Sequence, residues 1–279
     1  MFRTYRLAAL LALALIVGVA VPGGASDKAG TIDGVVYFLL DDNGTETSPG
    51  PYLVAVHRTL DASLPATTAM QALLDGPTNQ EKRKQGISSA IPARTKLRGI
   101  SISGGVATVN LSGRFDNGGG SSSMQARLAQ VVWTLTQFPT VDGVKFKING
   151  TPTTVFGGEG VIVDSPSEPM DWEDLLPAIL VTRPAFGGAA ANPVRITGYA
   201  RTFEATFIAQ VETAGGHRLG RTVVTYGGVD SGEFGWFDIT LPYRNHRVRN
   251  GIVKVWEASA QDGHPINVRE YRVRLAPSG

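Results

Sequence analysis

The stretch ISISGGVATVNL, residues 100–111, decides how the first half of this chain folds. Apolar residues alternate with polar ones on both sides of Gly104-Gly105, which is the pattern of two half-buried strands. Glycine adopts the positive φ angles of a tight two-residue turn at little cost. The stretch therefore predicts a β-hairpin with one face directed toward a core.

Two helices are predicted before this hairpin. The first has Ser63 as a plausible N-cap and Pro65 in its first turn, where the missing N–H costs little. It ends at Asp75-Gly76-Pro77, since glycine tolerates the left-handed C-terminal geometry and proline cannot continue a helix. Thr78 and Glu81 have the spacing of a capping box, so a second short helix should run to about Gln85. Met70, Leu73 and Leu74 share one face of the first helix.

A third helix is predicted after the hairpin, from Met124 to Phe138, with Ser121, Ser122 or Ser123 as its N-cap and Pro139 as its stop. Residues 35–40 and 53–60 are apolar or β-branched runs typical of strands, and residues 144–148 alternate in the manner of a half-buried strand. The predicted order is β-β-α-α-β-β-α-β, an α+β domain with helices on one sheet face.

Residues 179–275 show strand patterns without helical periodicity. About seven short strands in roughly 100 residues, separated by Gly, Pro and Asn turns, are typical of an immunoglobulin-like β-sandwich. The predicted strands are 179–182, 194–200, 205–212, 221–225, 234–241, 251–258 and 268–275. The predicted core residues are Phe207, Trp236, Phe237, Val255 and Trp256.

Residues 157–178 separate the two regions. They are rich in Gly and Pro and contain the acidic cluster Asp171, Glu173 and Asp174, a composition typical of a linker. Trp172, Leu175 and Leu176 could hold the linker against a domain.

Residues 1–25 have the pattern of a secretory signal peptide. Arg3 and Arg6 precede an apolar run from Leu7 to Val21, and small residues follow, so cleavage is expected after Ala25. The run is short for a membrane span, which needs about 20 residues. The alternative is an uncleaved anchor helix, which would be the protein's sole membrane contact.

Composition limits the chemistry. The chain has no cysteine, which excludes disulfides, thiolate catalysis and attachment of a lipid to an N-terminal cysteine.

Charge differs between the two halves of the chain. Residues 26–179 hold 12 basic and 16 acidic side chains, whereas residues 180–279 hold 12 basic and 8 acidic ones. A modestly basic second half favours an anionic wall polymer or acidic partner, although a solvated surface is the simpler reading. No basic cluster is dense enough to indicate nucleic acid.

Several segments of the first region occur in an order that resembles the sporulation and spore germination domain, also called the GerMN domain, over residues 35–156. The segments that carry the resemblance are LLDGPT (73–78), AIPARTKL (90–97), VATVNLS (106–112), VVWTLTQFP (131–139) and VKFKING (144–150).

The second region resembles the immunoglobulin-like domain of bacterial spore germination over residues 179–275. The segments are ILVTRP (179–184), VRITGYARTFEA (194–205), residues 235–241 and VKVWEASAQDG (253–263). Both resemblances imply an extracytoplasmic protein related to sporulation or germination. Many relatives carry a lipoprotein cysteine, and this chain departs from them by having none.

No catalytic, cofactor or metal site is predicted. His57, His217, His246 and His264 lack metal-ligand spacing, and the serines of residues 101–103 and 121–123 lack a nucleophile elbow. The acidic pairs at Asp41-Asp42 and Asp171–Asp174 are predicted in loops, where solvated charges or a Ca²⁺-tolerant surface are favoured over a pair of catalytic carboxylates. The glycines of residues 117–120 lack a phosphate-binding signature. Trp133 is predicted at the core edge, with a partner or sugar contact as the alternative.

These observations predict an exported, non-enzymatic envelope protein that acts in assembly or adhesion through protein contacts, with self-association as one option. The contact residues are not defined by the sequence. A cell-wall polysaccharide-binding protein is the main alternative, and an envelope hydrolase is a third possibility supported only by the compartment.

Overall fold

The computed structural model describes residues 30–41, 46–227 and 232–278. The predicted signal peptide, residues 1–25, lies outside the described residues. Within them, a mixed α+β region is followed by a β-rich region, so the fold class predicted from the sequence is confirmed.

The first region contains three α-helices and nine strands among the residues that the structure describes. The helices are α1 (Pro65–Asp75), α2 (Asn79–Gln85) and α3 (Ser121–Leu135). The strands are β1 (Thr31–Leu40), β2 (Tyr52–Asp61), β3 (Ile87–Ser88), β4 (Leu97–Ser103), β5 (Val106–Leu111), β6 (Gly143–Ile148), β7 (Thr151–Pro152), β8 (Val155–Phe156) and β9 (Val161–Ile162).

These strands form two main sheets, where the sequence predicted one. The first has the order β2-β1-β3 and the second the order β4-β5-β6-β7. The hairpin predicted at residues 100–111 is confirmed as β4 and β5, joined at Gly104-Gly105. Strand β5 then pairs in parallel with β6, and α3 is the crossover that a parallel pair requires.

Helix α3 explains why the two sheets remain separate. Its polar side chains bond the backbone of β1, where a neighbouring strand would otherwise bond. The Thr134 hydroxyl accepts from Tyr37 N at 3.0 Å, and Gln130 Nε2 donates to Tyr37 O at 3.0 Å. Gln137 accepts from Val35 N and donates to Val35 O. Gln130 and Thr134 lie one turn apart on α3, and Gln137 follows in the turn after its C-terminal end. Together they satisfy an otherwise open sheet edge.

We expect Gln130→Met to lower the free energy of unfolding by about 2–4 kcal/mol. The side chain is fully buried, and a thioether of similar size would leave Tyr37 O and the backbone N–H of Ala90 without their partners. Urea denaturation would measure the loss. Gln125→Met changes an exposed residue of the same helix and should shift the value by less than about 0.5 kcal/mol. Equal effects of the two changes would show that the edge bonds contribute nothing.

The ends of α1 and α2 differ in how well the sequence predicted them. Thr78 and Glu81 form the predicted capping box at the start of α2. Ser63, in contrast, does not cap α1, because its backbone N–H and its hydroxyl both donate to the Asp61 carboxylate at 2.8 and 2.6 Å. Leu64 occupies the N-cap position and makes no side-chain capping bond, because Ser63 is already bonded to Asp61 in a local turn.

Helix α3 also begins differently from the prediction. It covers residues 121–135 rather than 124–138, and Gly120 occupies the N-cap position without a capping side chain. The Glu159 carboxylate accepts from both the backbone N–H and the hydroxyl of Ser121. These bonds lower the pKa of Glu159, and a negative charge at a helix N-terminus is favourable. The cap is therefore supplied from 38 positions downstream.

The second region is a two-sheet β structure. Its strands are β10 (Ile179–Arg183), β11 (Ala189–Ala190), β12 (Val194–Ala200), β13 (Thr206–Thr213), β14 (Arg218–Thr225), β15 (Gly235–Leu241), β16 (Arg249–Ala258) and β17 (Pro265–Leu275). One sheet has the order β10-β12-β15 and the other the order β11-β17-β16-β13-β14. Each predicted strand corresponds to one of these, while the two-residue β11 was not predicted.

The sandwich core is mainly apolar, and Phe207, Phe237, Val255 and Trp256 are buried as predicted. Tyr271 is a buried polar exception, 2% exposed, whose hydroxyl accepts from the backbone N–H of Val181 at 2.9 Å. Burial disfavours the phenolate and raises the pKa of Tyr271 to about 12.

Raised phenol pKa values predict a loss of stability in alkali. An unfolded tyrosine ionises near pH 10, so the contribution of Tyr271 is complete below that value and is lost as the pH rises toward 12. We expect the free energy of unfolding to fall above pH 10 by up to about 1.4 kcal/mol per pH unit from this group. Denaturation at pH 9 to 11.5 would measure the slope. A Tyr271→Phe variant whose slope is as steep as that of the unaltered protein would contradict this assignment.

Residues 157–178, predicted as a linker, are packed against the first region. Ser167 exchanges both backbone hydrogen bonds with Val144 of β6, each at 2.8 Å. A 3₁₀ segment follows at Pro169–Leu175, and Trp172 within it is buried, donating its indole N–H to the Ser167 hydroxyl at 3.0 Å. The segment thus leads the chain across the first region to the start of β10.

Candidate binding groove at the domain junction

The two regions are joined by main-chain hydrogen bonds through residues 185–190. On one side, Phe186 accepts from His57 N of β2 and donates to Ala55 O, at 2.9 and 2.8 Å. On the other side, Gly187 N donates to Arg272 O of β17 at 2.7 Å. The short β11 then pairs in parallel with β17. Residues 185–190 therefore connect two series of hydrogen-bonded strands. The series are β3-β1-β2 in the first region and β17-β16-β13-β14 in the second.

The glycines of this segment permit that close approach. Gly187 has a φ of +82°, which is a left-handed conformation that side chains rarely adopt. A Cβ on Gly188 would lie 3.1 Å from Ala185 O and 3.5 Å from His57 Cβ, so the segment has little space between β2 and β17.

A buried ion pair lies across the same junction. Arg269 Nε of β17 donates to Glu46 Oε1 at 2.8 Å, and the two side chains are 5% and 2% exposed. Glu46 Oε2 also accepts from the backbone N–H of Ala178, where the chain enters the second region. The guanidinium of Arg269 lies over the ring of Tyr52, 5.2 Å from its centroid. These contacts bond the loop before β2 to the second region.

We expect Glu46→Gln to lower the free energy of unfolding by about 3–5 kcal/mol, because the Arg269 charge would remain buried without a counter-charge. Glu270→Gln breaks the half-exposed pair of Glu270 with Lys254 and should cost less than about 1 kcal/mol. Urea denaturation of both variants at pH 7 would compare the two effects. Losses of equal size would mean that the buried pair does not stabilise the junction.

Four aromatic rings cross the junction in a row. Tyr37 of β1 contacts Trp133 of α3 with ring centroids 5.3 Å apart. Trp133 meets Tyr199 of β12 edge-to-face at 5.7 Å, and Tyr199 meets Trp236 of β15 at 5.0 Å. Such tilted and edge-to-face pairs are favourable beyond the area that they bury. The row begins in the core of the first region and ends at solvent on the second.

The outer end of this row lines a groove of about 220 Å³ between the two regions. Trp236 is 49% exposed, so its prediction as a core residue was wrong. Its position in β15 alternates with those of Gly235 and Phe237, which are buried, and the ring therefore faces outward. The polar groups that line the groove belong to Thr136, Gln137, Thr182, Arg183 and Thr197.

Trp133 also lines the groove. It is 4% exposed, and its indole N–H donates to Pro169 O at 3.1 Å. It was predicted at the core edge, and the structure buries it where the two regions meet. Tyr199 and Arg183, which complete the groove, were not identified from the sequence, because each lies in an ordinary strand pattern. The alternation of Trp236 with buried neighbours was the signal that could have identified the exposed ring.

The histidines do not converge on a site. His57 Nε2 lies 2.8 Å from Oδ1 of the exposed Asp33, near the junction. His264 pairs with Asp262 two residues before it, while His217 and His246 are exposed. Among the described residues, no group of three or more His, Asp or Glu side chains is placed to hold a metal ion.

The other candidate residues serve local structure. Gly118 O accepts from Nη2 of the buried Arg127 at 2.6 Å, which anchors the glycine-rich loop before α3. Asp171 accepts from the Ser167 hydroxyl and the Glu168 backbone N–H, and Glu173 pairs with Arg201 at 3.5 Å. Asp41 is described, whereas Asp42 lies outside the described residues. Ser101 and Ser103 are exposed on β4.

Comparisons with known proteins agree with this architecture. A family model described as sporulation and spore germination matches residues 35–154. A second, described as the immunoglobulin-like domain of bacterial spore germination, matches residues 178–264. The chain is a GerMN-domain protein with this immunoglobulin-like domain at its C-terminal side. We refer to the two regions below as the GerMN domain and the immunoglobulin-like domain.

Individual relatives match part of this chain. The chain is 34% identical over 116 residues to the spore germination protein GerM of Bacillus subtilis, a match that covers 40% of this chain and 29% of GerM. The solved first GerMN domain of that protein is 29% identical, with a TM-score of 0.39, covering 50% of this chain and 99% of that structure. A putative lipoprotein from Clostridium perfringens is 25% identical, with a TM-score of 0.35, covering 55% and 98%.

Within the described residues, no helix is both long and apolar enough to cross a membrane.

Proposed function

We propose that this protein is exported to the cell envelope and acts there without catalysis, by holding a protein partner in the groove between its two domains. The composition of the groove carries the proposal. Trp236, Tyr199 and Arg183 line it, and Trp, Tyr and Arg are the residue types that contribute most to protein–protein binding energy.

The rigid junction supports this role. A groove between two domains keeps its shape only if the domains do not move relative to each other, and intrachain domain interfaces are by default mobile. Here the shared hydrogen bonds of residues 185–190 and the buried Glu46–Arg269 pair hold the domains together. The groove is therefore formed before a partner arrives, which reduces the ordering cost of binding.

Export and process are further parts of the proposal. Residues 1–25 have the pattern of a signal peptide, and the absence of cysteine argues against a thioether-linked lipid anchor. Both domain families are named for sporulation or spore germination, and the GerM relative is a spore germination protein. We infer a role in envelope assembly or adhesion connected with those processes.

A cell-wall polysaccharide is the second candidate occupant. The half-exposed Trp236 ring, seated on Tyr199 and surrounded by hydroxyl and guanidinium groups, also offers an apolar face and polar partners to a sugar. The two candidates predict adducts of different chemistry at the same side chain.

Site-specific photocrosslinking in cells would distinguish them. We expect a protein adduct when Trp236 is replaced by a photoreactive phenylalanine, because a hot-spot residue lies against its partner. Val223 of β14 is 67% exposed and does not line the groove, so the same replacement there is the control. Trp236→Ala should weaken binding of the purified partner by about tenfold or more.

The outcomes separate the proposals. A polysaccharide adduct at position 236 would favour the second candidate. Identical adducts at positions 223 and 236, or none at either position, would contradict a binding role for the groove.

A further inference from the structure

A second cleft lies at another part of the domain junction, between α2 and β17. Its volume is about 430 Å³, and basic side chains from both domains line it. Lys82, Arg83 and Lys84 come from α2 of the GerMN domain, whereas Arg269 and Arg272 come from β17 of the immunoglobulin-like domain. Phe186, from the segment that joins the two sheets, also lines it.

Some of the charges in this cleft are already neutralised. Arg269 is paired with the buried Glu46 at 2.8 Å. Glu270, which contributes a carboxylate to the lining, is paired with Lys254 at 3.0 Å. These two ion pairs account for one cation and one anion of the cleft.

The remaining charges are predominantly positive. Lys82, Arg83, Lys84 and Arg272 are exposed and have no ion-pair partner among the residues that the structure describes. Asp41 is the remaining carboxylate among the described lining residues. Four cations therefore face one anion, and like charges gathered in a recess attract counter-ions strongly.

Two buried polar atoms at the cleft also lack partners. Nη2 of Arg269 and Oε1 of Gln85 are enclosed, and neither has a hydrogen bond among the described residues. Arg269 is 4% exposed, and both residues belong to the lining. An unsatisfied buried polar atom is unfavourable, so a ligand that opens the cleft slightly and bonds these atoms would be bound more tightly.

We propose that this cleft binds a linear, flexible polyanion whose charges are phosphodiesters. Guanidinium groups match phosphate oxygens in a bidentate geometry, and lysines beside them add point charges. A flexible chain can enter a recess between two domains, whereas the flat surface of a bilayer cannot reach its floor. The site is separate from the Trp236 groove, so it does not rest on the function proposed for that groove.

Helix stabilisation is a simpler explanation for part of the cluster. Lys82, Arg83 and Lys84 lie in the last turn of α2, where cations interact favourably with the helix dipole. That explanation does not extend to Arg272, which lies on a strand of the other domain. It also does not account for the unsatisfied Arg269 atom at the same cleft.

Titration of the purified protein with poly(glycerol phosphate) tests the proposal. We expect saturable binding at 20 mM NaCl that weakens steeply toward 200 mM, since each neutralised phosphate releases counter-ions. The triple variant Lys82→Gln, Lys84→Gln, Arg272→Gln should weaken binding at least about tenfold and reduce the salt dependence. Calorimetry measures both quantities, and urea denaturation verifies that the variant is folded.

A matched control removes three positive charges elsewhere. Arg218, Arg244 and Arg247 are exposed and lie outside the cleft, so their combined change to Gln alters the net charge equally. It should weaken binding by no more than about twofold if the attraction is local. Equal weakening by both triple variants, or absence of binding at 20 mM NaCl, would overturn the proposal.

Two further probes identify the chemistry. Polyglutamate of matched length should bind at least about tenfold more weakly than the phosphate polymer, because carboxylates spaced along a peptide lack the tetrahedral oxygens of phosphate. Vesicles containing phosphatidylglycerol should not compete. Tighter binding of polyglutamate, or binding of vesicles in place of the polymer, would overturn the assignment.

Discussion

The arrangement of this protein depends on the main-chain hydrogen bonds of residues 185–190. The segment is bonded to β2 on one side and to β17 on the other, so the GerMN domain and the immunoglobulin-like domain share one hydrogen-bonded series of strands. Backbone bonds of this kind fix distance and direction together. The Trp236 groove and the basic cleft between α2 and β17 both lie along this junction, and Phe186 itself lines the cleft.

Polar residues in the interior serve the same architecture. Gln130, Thr134 and Gln137 satisfy the edge of β1, and Arg127 anchors the loop before α3 through carbonyl oxygens. A buried polar group is costly without a partner, so these side chains specify which elements can lie together. Polar side chains of this kind therefore have structural roles and are not free to take part in chemistry.

The sequence predicted the elements well and their pairing less well. Periodicity identified the β4–β5 hairpin, the three helices and the strands of the sandwich, because each of these patterns is local. The N-cap of α3 was wrong since its acceptor, Glu159, lies 38 residues away, and Trp236 was wrongly placed in the core. The division into two sheets was missed because it depends on side chains of α3 reaching β1. Long-range partners leave no periodic signal.

The amino-acid sequence alone determined the two-part α+β and β-sandwich organisation, through apolar spacing and through turn residues at fixed positions. It also excluded cysteine chemistry by composition. The tertiary structure decided where the proposed binding surfaces lie. The cations of the basic cleft come from positions near 83 and near 270, and the aromatic row joins β1, α3, β12 and β15. Residues so far apart in the chain become neighbours only when the two domains are docked, and that docking is fixed by hydrogen bonds between them.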